Sequence, residues 1–483
     1  MKRLIALSAL LLAACGPSID NDRLRVDVIE SQPRQLTVTQ MPLSPASAYL
    51  RKATAQGLVG FNLEGAVVPA LAARWITTDD GLSYIFRLQK TRWNDGKEVA
   101  SDEVAAALNR RIAELRNGRF ASELAIIDQV VPMTGKVVEI RLKAPMPNLL
   151  EILAQPEFGL LRRGVGSGPM MARKQGDRML LSWRVEDQAA EPGAKILLDG
   201  RSVALAARDA PTALARFAEG QSDLVLEGRF ETLPYLAATE RNEAAVFDAA
   251  PGMFGLLFVA SGPFLSDPTN REAIAKAIDR PRMISDFNVT AWKEMLTLAP
   301  ETLPNRIDIA RPQWASLRID QRQAEARAVI ANWEGANGPV RPLRIAMPRG
   351  PGARMLFARL KSDFAAIGLD AERVTYNQPA DMRLIDQVAD MSSPAWYIEQ
   401  LSCEMTSICS LEADMLLLQA QRTNDRDERM QLLGEAEIKL QQLRSFIPLG
   451  NPVRWTLPRN GLKGFASNPR GLHPLQYLGR DPT

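Results

Sequence analysis

The stretch of sequence that most limits the possible folds is a pair of alternating strands separated by a helix. Ser83-Tyr84-Ile85-Phe86-Arg87-Leu88 puts Tyr84, Phe86 and Leu88 on one face, and Val137 to Leu142 aligns Val138, Ile140 and Leu142 opposite Glu139 and Arg141. A period of two with one apolar face is the pattern of a half-buried strand. Between them Val104, Leu108, Ile112 and Leu115 recur at helical spacing, Asp102 and Glu103 stand at the positive end of the helix dipole, and Ser101 is placed as a cap. The same alternation of elements runs through the rest of the chain. Arg25 to Gln40 reads as one or two strands, Ser47 to Leu58 as a helix, Ala213 to Phe217 as a helix, Asp223 to Leu226 as a strand, Phe254 to Val259 as a buried strand and Asn270 to Ile284 as a helix. Leu356, Leu360, Phe364 and Ile367 make one apolar helical stripe ending at Gly368; Leu433, Ala436, Leu440 and Leu443 make another, with Asn424 as its candidate cap. Gly164-Val165-Gly166-Ser167-Gly168-Pro169 breaks the regularity and is expected to cross between lobes. An α/β chain of 483 residues, 46% of them hydrophobic, should form more than one domain.

Composition excludes much chemistry. With 59 Lys and Arg against 56 Asp and Glu, the formal charge of +3 is too even for a protein that binds phosphate backbones. One histidine, His473, and three cysteines leave little material for zinc sites or Ser-His-Asp triads. His473 has no identifiable nucleophile beside it and is expected to be packed or on the surface. No Walker-type phosphate loop occurs. Gly164 to Gly168 is followed by Pro169, which has no N–H to offer a phosphate, and Val165 stands where a nucleophile elbow at Ser167 needs Gly. Asp79-Asp80-Gly81 and Asn94-Asp95-Gly96 read as turns before they read as calcium ligands. No catalytic residue, cofactor or metal site is expected.

Residues 1 to 15 form an export signal: a basic start at Lys2 and Arg3, an apolar run from Leu4 to Ala14 that is far too short to span a bilayer, and Cys15. Leu12-Ala13-Ala14-Cys15 resembles the bacterial lipobox, which implies cleavage after residue 14 and a diacylglycerol on Cys15, with residues 15–24 as lipidated cysteine and tether. An ordinary secretory signal with an incidental cysteine is the other reading. Cys403 and Cys409, with five residues between them, are expected to form a disulfide in an oxidising compartment.

Several segments, taken in order, resemble the extracytoplasmic solute-binding family 5, whose members serve ABC importers of dipeptides and oligopeptides. They begin with Val68-Pro69-Ala70-Leu71-Ala72-Ala73-Arg74-Trp75, then Asp80-Gly81-Leu82-Ser83-Tyr84-Ile85-Phe86-Arg87-Leu88 and Trp93-Asn94-Asp95-Gly96, followed by Ser101-Asp102-Glu103-Val104. Gly166-Ser167-Gly168-Pro169, with Met170 in place of an aromatic residue, Arg271 to Arg280 and Phe446-Ile447-Pro448-Leu449 continue the match. The resemblance implies a two-lobed periplasmic-binding-protein-like fold with an inserted α/β subdomain and an interlobe ligand cleft. It places lobe I in residues 25–50, 166–255 and 450–483, the subdomain in 51–165 and lobe II in 256–449. It implies a monomeric substrate-binding lipoprotein on the periplasmic side of the bacterial cell envelope. Such a protein touches the membrane only through its lipid, binds no nucleic acid, and delivers a peptide or peptide-like solute to the transmembrane subunits of an ABC permease. A non-transport envelope or sensing protein with a degenerated cleft is the alternative. Within Val388 to Tyr397 the resemblance makes Asp390 the anchor for a ligand ammonium, with a turn cap as the other reading of that residue; Ser393 and Met391 depart from the family's usual acid and tyrosine. Trp396 and Tyr397 are candidates for stacking on a ligand, core packing being the alternative.

Overall fold

The computed structural model describes residues 23–185, 197–239, 244–289 and 291–479; Cys15 and its tether up to residue 22 lie outside them. Two larger sheets and one smaller sheet organise these residues. The first has seven strands in the order Val246–Asp248, Arg454–Pro458, Leu224–Arg229, Arg23–Ile29, Leu197–Arg208, Arg178–Val185 and Met170–Gln175. Its centre is parallel, with Arg23–Ile29 flanked by Leu197–Arg208 and Leu224–Arg229. Strands covered on both faces must be apolar throughout. Val26, Val28, Val203, Leu205, Leu224, Val225 and Leu226 are accordingly all buried.

The second sheet has five strands in the order Ala371–Val374, Leu343–Ala346, Met382–Val388, Gly252–Phe258 and Phe446–Gly450. The chain enters it from the first sheet at 249–251 and leaves it at 451–453, so the two passages run side by side: Asp248 pairs with Arg454 in one sheet and Phe254 with Gly450 in the other. Each passage holds a proline, Pro251 and Pro452. Arg454 also reaches across, donating to Asp386 Oδ1 at 2.8 Å.

The smaller sheet is antiparallel, in the order Ala72–Thr77, Ser83–Leu88, Val137–Leu142 and Ile127–Met133. Tyr84, Phe86, Leu88, Val138, Ile140 and Leu142 form its buried face, as the alternation predicts. The helix Ser101–Leu115 covers that face, but it starts one residue earlier than expected: Ala100 is the cap position and the Ser101 hydroxyl donates to the Met133 carbonyl instead. Other expectations shift in the same local way. The strand after the tether ends at Ile29. The helix expected over Asn270 to Ile284 is two, Pro268–Ala277 and Arg280–Phe287, because Asp279 caps the second by accepting from Arg282 N and Pro281 lacks the N–H that would extend the first. The last long helix, Arg426–Leu443, is capped by Asp425, whose carboxylate accepts from two backbone N–H groups, and not by Asn424.

The glycine-rich segment around Ser167 carries the chain from the small sheet into the seven-stranded one, whereas the passages between the two larger sheets lie elsewhere. Its glycines serve close approach. A Cβ on Gly166 would lie 2.0 Å from Thr54 O, and one on Gly168 2.3 Å from Thr54 C, at the end of the helix Pro45–Thr54. Gly168 N donates to Thr54 O at 2.9 Å across that contact. Cys403 and Cys409 are disulfide-bonded. His473 is buried, with Nε2 3.0 Å from Asp248 Oδ2 and Nδ1 3.1 Å from Ala466 O, so it ties the C-terminal segment to the first sheet.

Because backbone faces backbone at Gly168, the contact cannot relax by a rotamer change. Gly168→Ala is expected to cost about 1–3 kcal/mol or more in urea unfolding, against about 1 kcal/mol or less for Gly200→Ala, where a Cβ meets nothing within 4 Å.

Candidate functional site

The strand Met382–Val388 leaves the second sheet and runs into Ala389 to Ser393, which faces the subdomain. Ser393 and Pro394 then start the helix Pro394–Glu399: the Ser393 hydroxyl accepts from Ala395 N, and proline at the first helical position loses no bond. The cap of this turn is therefore Ser393, and the Asp390 side chain is directed elsewhere.

Contacts across this segment join all three parts of the structure. Ser392 N donates to Glu151 Oε2 at 2.9 Å, and Arg470, from the C-terminal segment, donates to the same oxygen at 2.5 Å and to Ser392 Oγ at 3.2 Å. Gln155 Nε2 donates to the Asp390 carbonyl at 2.9 Å. The Asp390 carboxylate, with a side chain only 8% exposed, meets Arg119 Nη1 at 3.3 Å, while Arg119, 47% exposed, also meets Glu157 at 3.0 Å. Trp396 lies close enough to the Asp390 carboxylate to favour its ionised form. Trp396 and Tyr397 are packed edge to face in the core, 1% and 0% exposed. The structure thus brings Trp396 to Asp390 from beneath and leaves Tyr397 below the site, its hydroxyl buried without a hydrogen bond.

Beside this segment a cavity of about 520 Å³ opens between the subdomain and the second lobe, within the range that holds small ligands. Ser122, Glu123 and Pro145 to Asn148 form one wall; Met391 to Ala395, Glu399 and the helices Leu411–Arg422 and Arg426–Leu443 form the other. The arginines on the lining are already engaged, Arg429 by the carbonyls of Ala420 and Thr423 and Arg426 by Asn305. The acids are not. Burial, and then the neighbouring Glu399, push the Glu123 carboxyl up to about 8. Burial likewise raises Glu399, with Glu404 and Asp390 adding to it, and raises Asp390 against the pull of Arg119. Glu123 and Glu399 thus share one poorly solvated region on the lining, with Asp390 just behind it, and the Glu399 and Asp390 charges make Glu123 harder to ionise. A cation placed in the cavity would relieve all three.

Comparison with known proteins bears on what such a cavity is for. The family model for bacterial extracellular solute-binding proteins, family 5 (middle region), matches residues 66–402. The chain belongs to this family. Family 5 proteins bind solutes and are not enzymes. The dipeptide-binding protein of Escherichia coli (strain K12) is 21% identical over 477 residues, covering 85% of this chain and 86% of the relative. The solved murein tripeptide binding protein MppA of Escherichia coli superposes with a TM-score of 0.77 at 17% identity, covering 94% of this chain and 98% of that one. The same protein in its unliganded open form gives 0.67 at 17% identity, covering 95% and 96%. The family 5 fold is thus two-lobed here as in those relatives.

Glu123, Arg119, Glu151, Glu399 and Arg470 carry no mark in the sequence; nothing in their spacing relates them. Among the described residues, no three His, Cys, Asp or Glu side chains are placed to hold a metal ion, and no helix is long and apolar enough to cross a membrane.

The raised Glu123 carboxyl has a stability consequence of definite sign. Between about pH 4.3, where an unfolded Glu ionises, and about 8, where Glu123 does so in the fold, the folded state holds the extra proton, so stability falls as pH rises through that window. Thermal melts at pH 5 and pH 8 should show a smaller loss for Glu123→Gln than for wild type; equal losses would place the Glu123 carboxyl at an ordinary value.

Proposed function

We propose that this family 5 protein is the substrate-binding component of an ABC importer, taking a peptide or peptide-like solute with a free ammonium group between its lobes and delivering it to the permease's transmembrane subunits. Glu123 and Glu399 on the interlobe cavity, with Asp390 in the turn directly behind its wall, carry the reading, since a desolvated carboxylate pairs strongly with an ammonium and fixes ligand direction. The names of its relatives, a dipeptide-binding and a murein tripeptide binding protein, point to the same ligand class. Asp390 is the anchor: the ligand ammonium takes the place of Arg119, whose half-exposed side chain meets Asp390 at 3.3 Å and keeps its ion pair with Glu157. Trp396 orients the anchor, and Tyr397 supports that floor. The proposal keeps the lobe boundaries read from the sequence and takes the chain to act as a monomer that Cys15 ties by lipid to the periplasmic side of the envelope.

One observation favours the alternative of a sensing or interaction protein on the same fold: Asp390 already has a cationic partner within the chain. Ligand-induced compaction in X-ray scattering would argue against it.

Calorimetry over di- to pentapeptides tests the proposal. Free-amine peptides are expected to bind, their N-acetylated forms to bind far more weakly, and Asp390→Asn to weaken the free amines by about 2–5 kcal/mol without affecting the acetylated forms. Equal affinity in wild type and mutant would remove Asp390 from the site, and silence across all peptides would sink the peptide reading. For the anchor, Cys15→Ala is expected to move the protein from the membrane fraction to the soluble fraction of cells.

A further inference from the structure

We propose that a second cavity, across the Asp390 segment from the first, binds a carboxylate through Lys52, together with an adjacent N–H group. This cavity, about 570 Å³, shares no lining residue with the interlobe one. It lies between the end of the helix Pro45–Thr54, the strand pair Val59–Phe61 and Val67–Pro69, and the C-terminal segment, with Gln155 and Trp183 completing its walls.

What distinguishes it is unsatisfied polarity. Lys52 Nζ, Gln56 Oε1 and Gln476 Oε1 all belong to lining residues, and each is buried without a hydrogen-bond partner among the described residues. The interlobe cavity has no such atom on its lining. A buried ammonium without an acceptor is among the costlier defects a fold can carry, and here the neighbours make it worse. Lys52 Nζ sits over the Phe61 ring at 5.1 Å from the centroid, and the Arg470 guanidinium, of like charge, lies over the same ring at 4.9 Å. The acid on the lining, Glu64, is exposed. Burial, and then Arg470, bring the Lys52 amine down to about 7, so an arriving anion would restore its charge.

The pattern of orphans selects the ligand chemistry. Lys52 needs an anionic acceptor, while the two glutamine oxygens need donors close by. A carboxylate carrying a neighbouring amide N–H, as in an N-acylated amino acid or the last residue of a peptide, supplies both. A phosphate supplies acceptors and leaves the glutamine oxygens unmet.

The probe is N-acetylglycine, with N-acetylglycine amide as the neutral control, titrated calorimetrically into the full chain. The acid is expected to bind saturably to wild type and to Asp390→Asn, and to lose at least tenfold in affinity in Lys52→Met; the amide is expected not to bind. A tetrapeptide with a free and with an amidated C-terminus forms the second arm. If the free-acid peptide alone loses tenfold in Lys52→Met, the carboxylate is a peptide's own terminus; if N-acetylglycine does, it is a free small acid. Either result supports the site, and no dependence on Lys52 for either ligand overturns it. Should Lys52→Met fold poorly, NMR of the wild-type protein with 13C-methylated lysines decides: N-acetylglycine or the free-acid peptide should raise the Lys52 titration midpoint by a unit or more, and an unchanged midpoint with both overturns the proposal. Retention of binding in Asp390→Asn separates this site from the interlobe one, so either can fail alone.

Discussion

One carboxylate joins segments that the chain keeps far apart. Glu151, on the short helix Leu149–Leu153, accepts from the backbone N–H of Ser392 and from the guanidinium of Arg470 with a single oxygen. The subdomain, the second lobe and the C-terminal segment meet there, and the remaining contacts of the cleft are arranged around it: Gln155 one turn on reaches the Asp390 carbonyl, and Asn148 one turn back reaches Met391 Sδ at 3.5 Å. A half-buried, charge-assisted junction of this kind is strong enough to hold a geometry yet still accessible to competition by water or ligand. The pose of Asp390, and with it the shape of the cavity, is a consequence of that junction.

Charge is sorted across the Asp390 segment. On the interlobe side the carboxyls of Glu123, Glu399 and Asp390 crowd one another in a region where burial disfavours ionisation. On the other side Lys52 and Arg470 share an aromatic face. Arg470, ion-paired to Glu151 and pulling on Asp390, links the two sides, while the whole chain is nearly balanced in charge. Local imbalance inside global balance is how a protein of ordinary composition can present oppositely charged cavities.

The fold was readable where short-range physics decides it. Alternation at Tyr84, Phe86 and Leu88 located a strand and its buried face, and the stripe from Leu356 to Ile367 located a helix. Errors fell at element ends, where one residue's side chain settles the matter: Asp425 outcompeted Asn424 as a cap, and Asp279 with Pro281 split one expected helix into two. The lobes and the fold family were legible through an ordered set of short motifs. Within the candidate site, Asp390 was singled out because that residue lies within one of those motifs. Its partners were not: Arg119, Glu151 and Arg470 come from separate segments, the last two 319 residues apart, and no periodicity or spacing links a turn before one helix to a turn near the end of the chain. Lys52 was hidden differently, as one lysine on a helix whose other face is core. Only the packing shows that its amine is shut away from water.

The two prolines where the chain passes between the larger sheets have a mechanical meaning. Pro251 and Pro452 have no amide hydrogen, so neither can donate to a ladder, and the pairing of the two passages with each other, which runs to Asp248 and Arg454 on one side, resumes at Phe254 and Gly450 on the other. The molecule is thus not one long ribbon of sheet but two ladders joined by a pair of parallel tethers. Tethers set side by side suppress shear and leave mainly one relative motion, a swing about the line that joins them. Such a swing stretches no strand pairing; it opposes the polar contacts between the lobes, such as Glu151 with Ser392 and Arg454 with Asp386, and the apolar packing that joins Phe230 and Leu233 to Leu256 and Leu356. The work of opening the protein is thereby set by side-chain contacts and not by the ladders themselves.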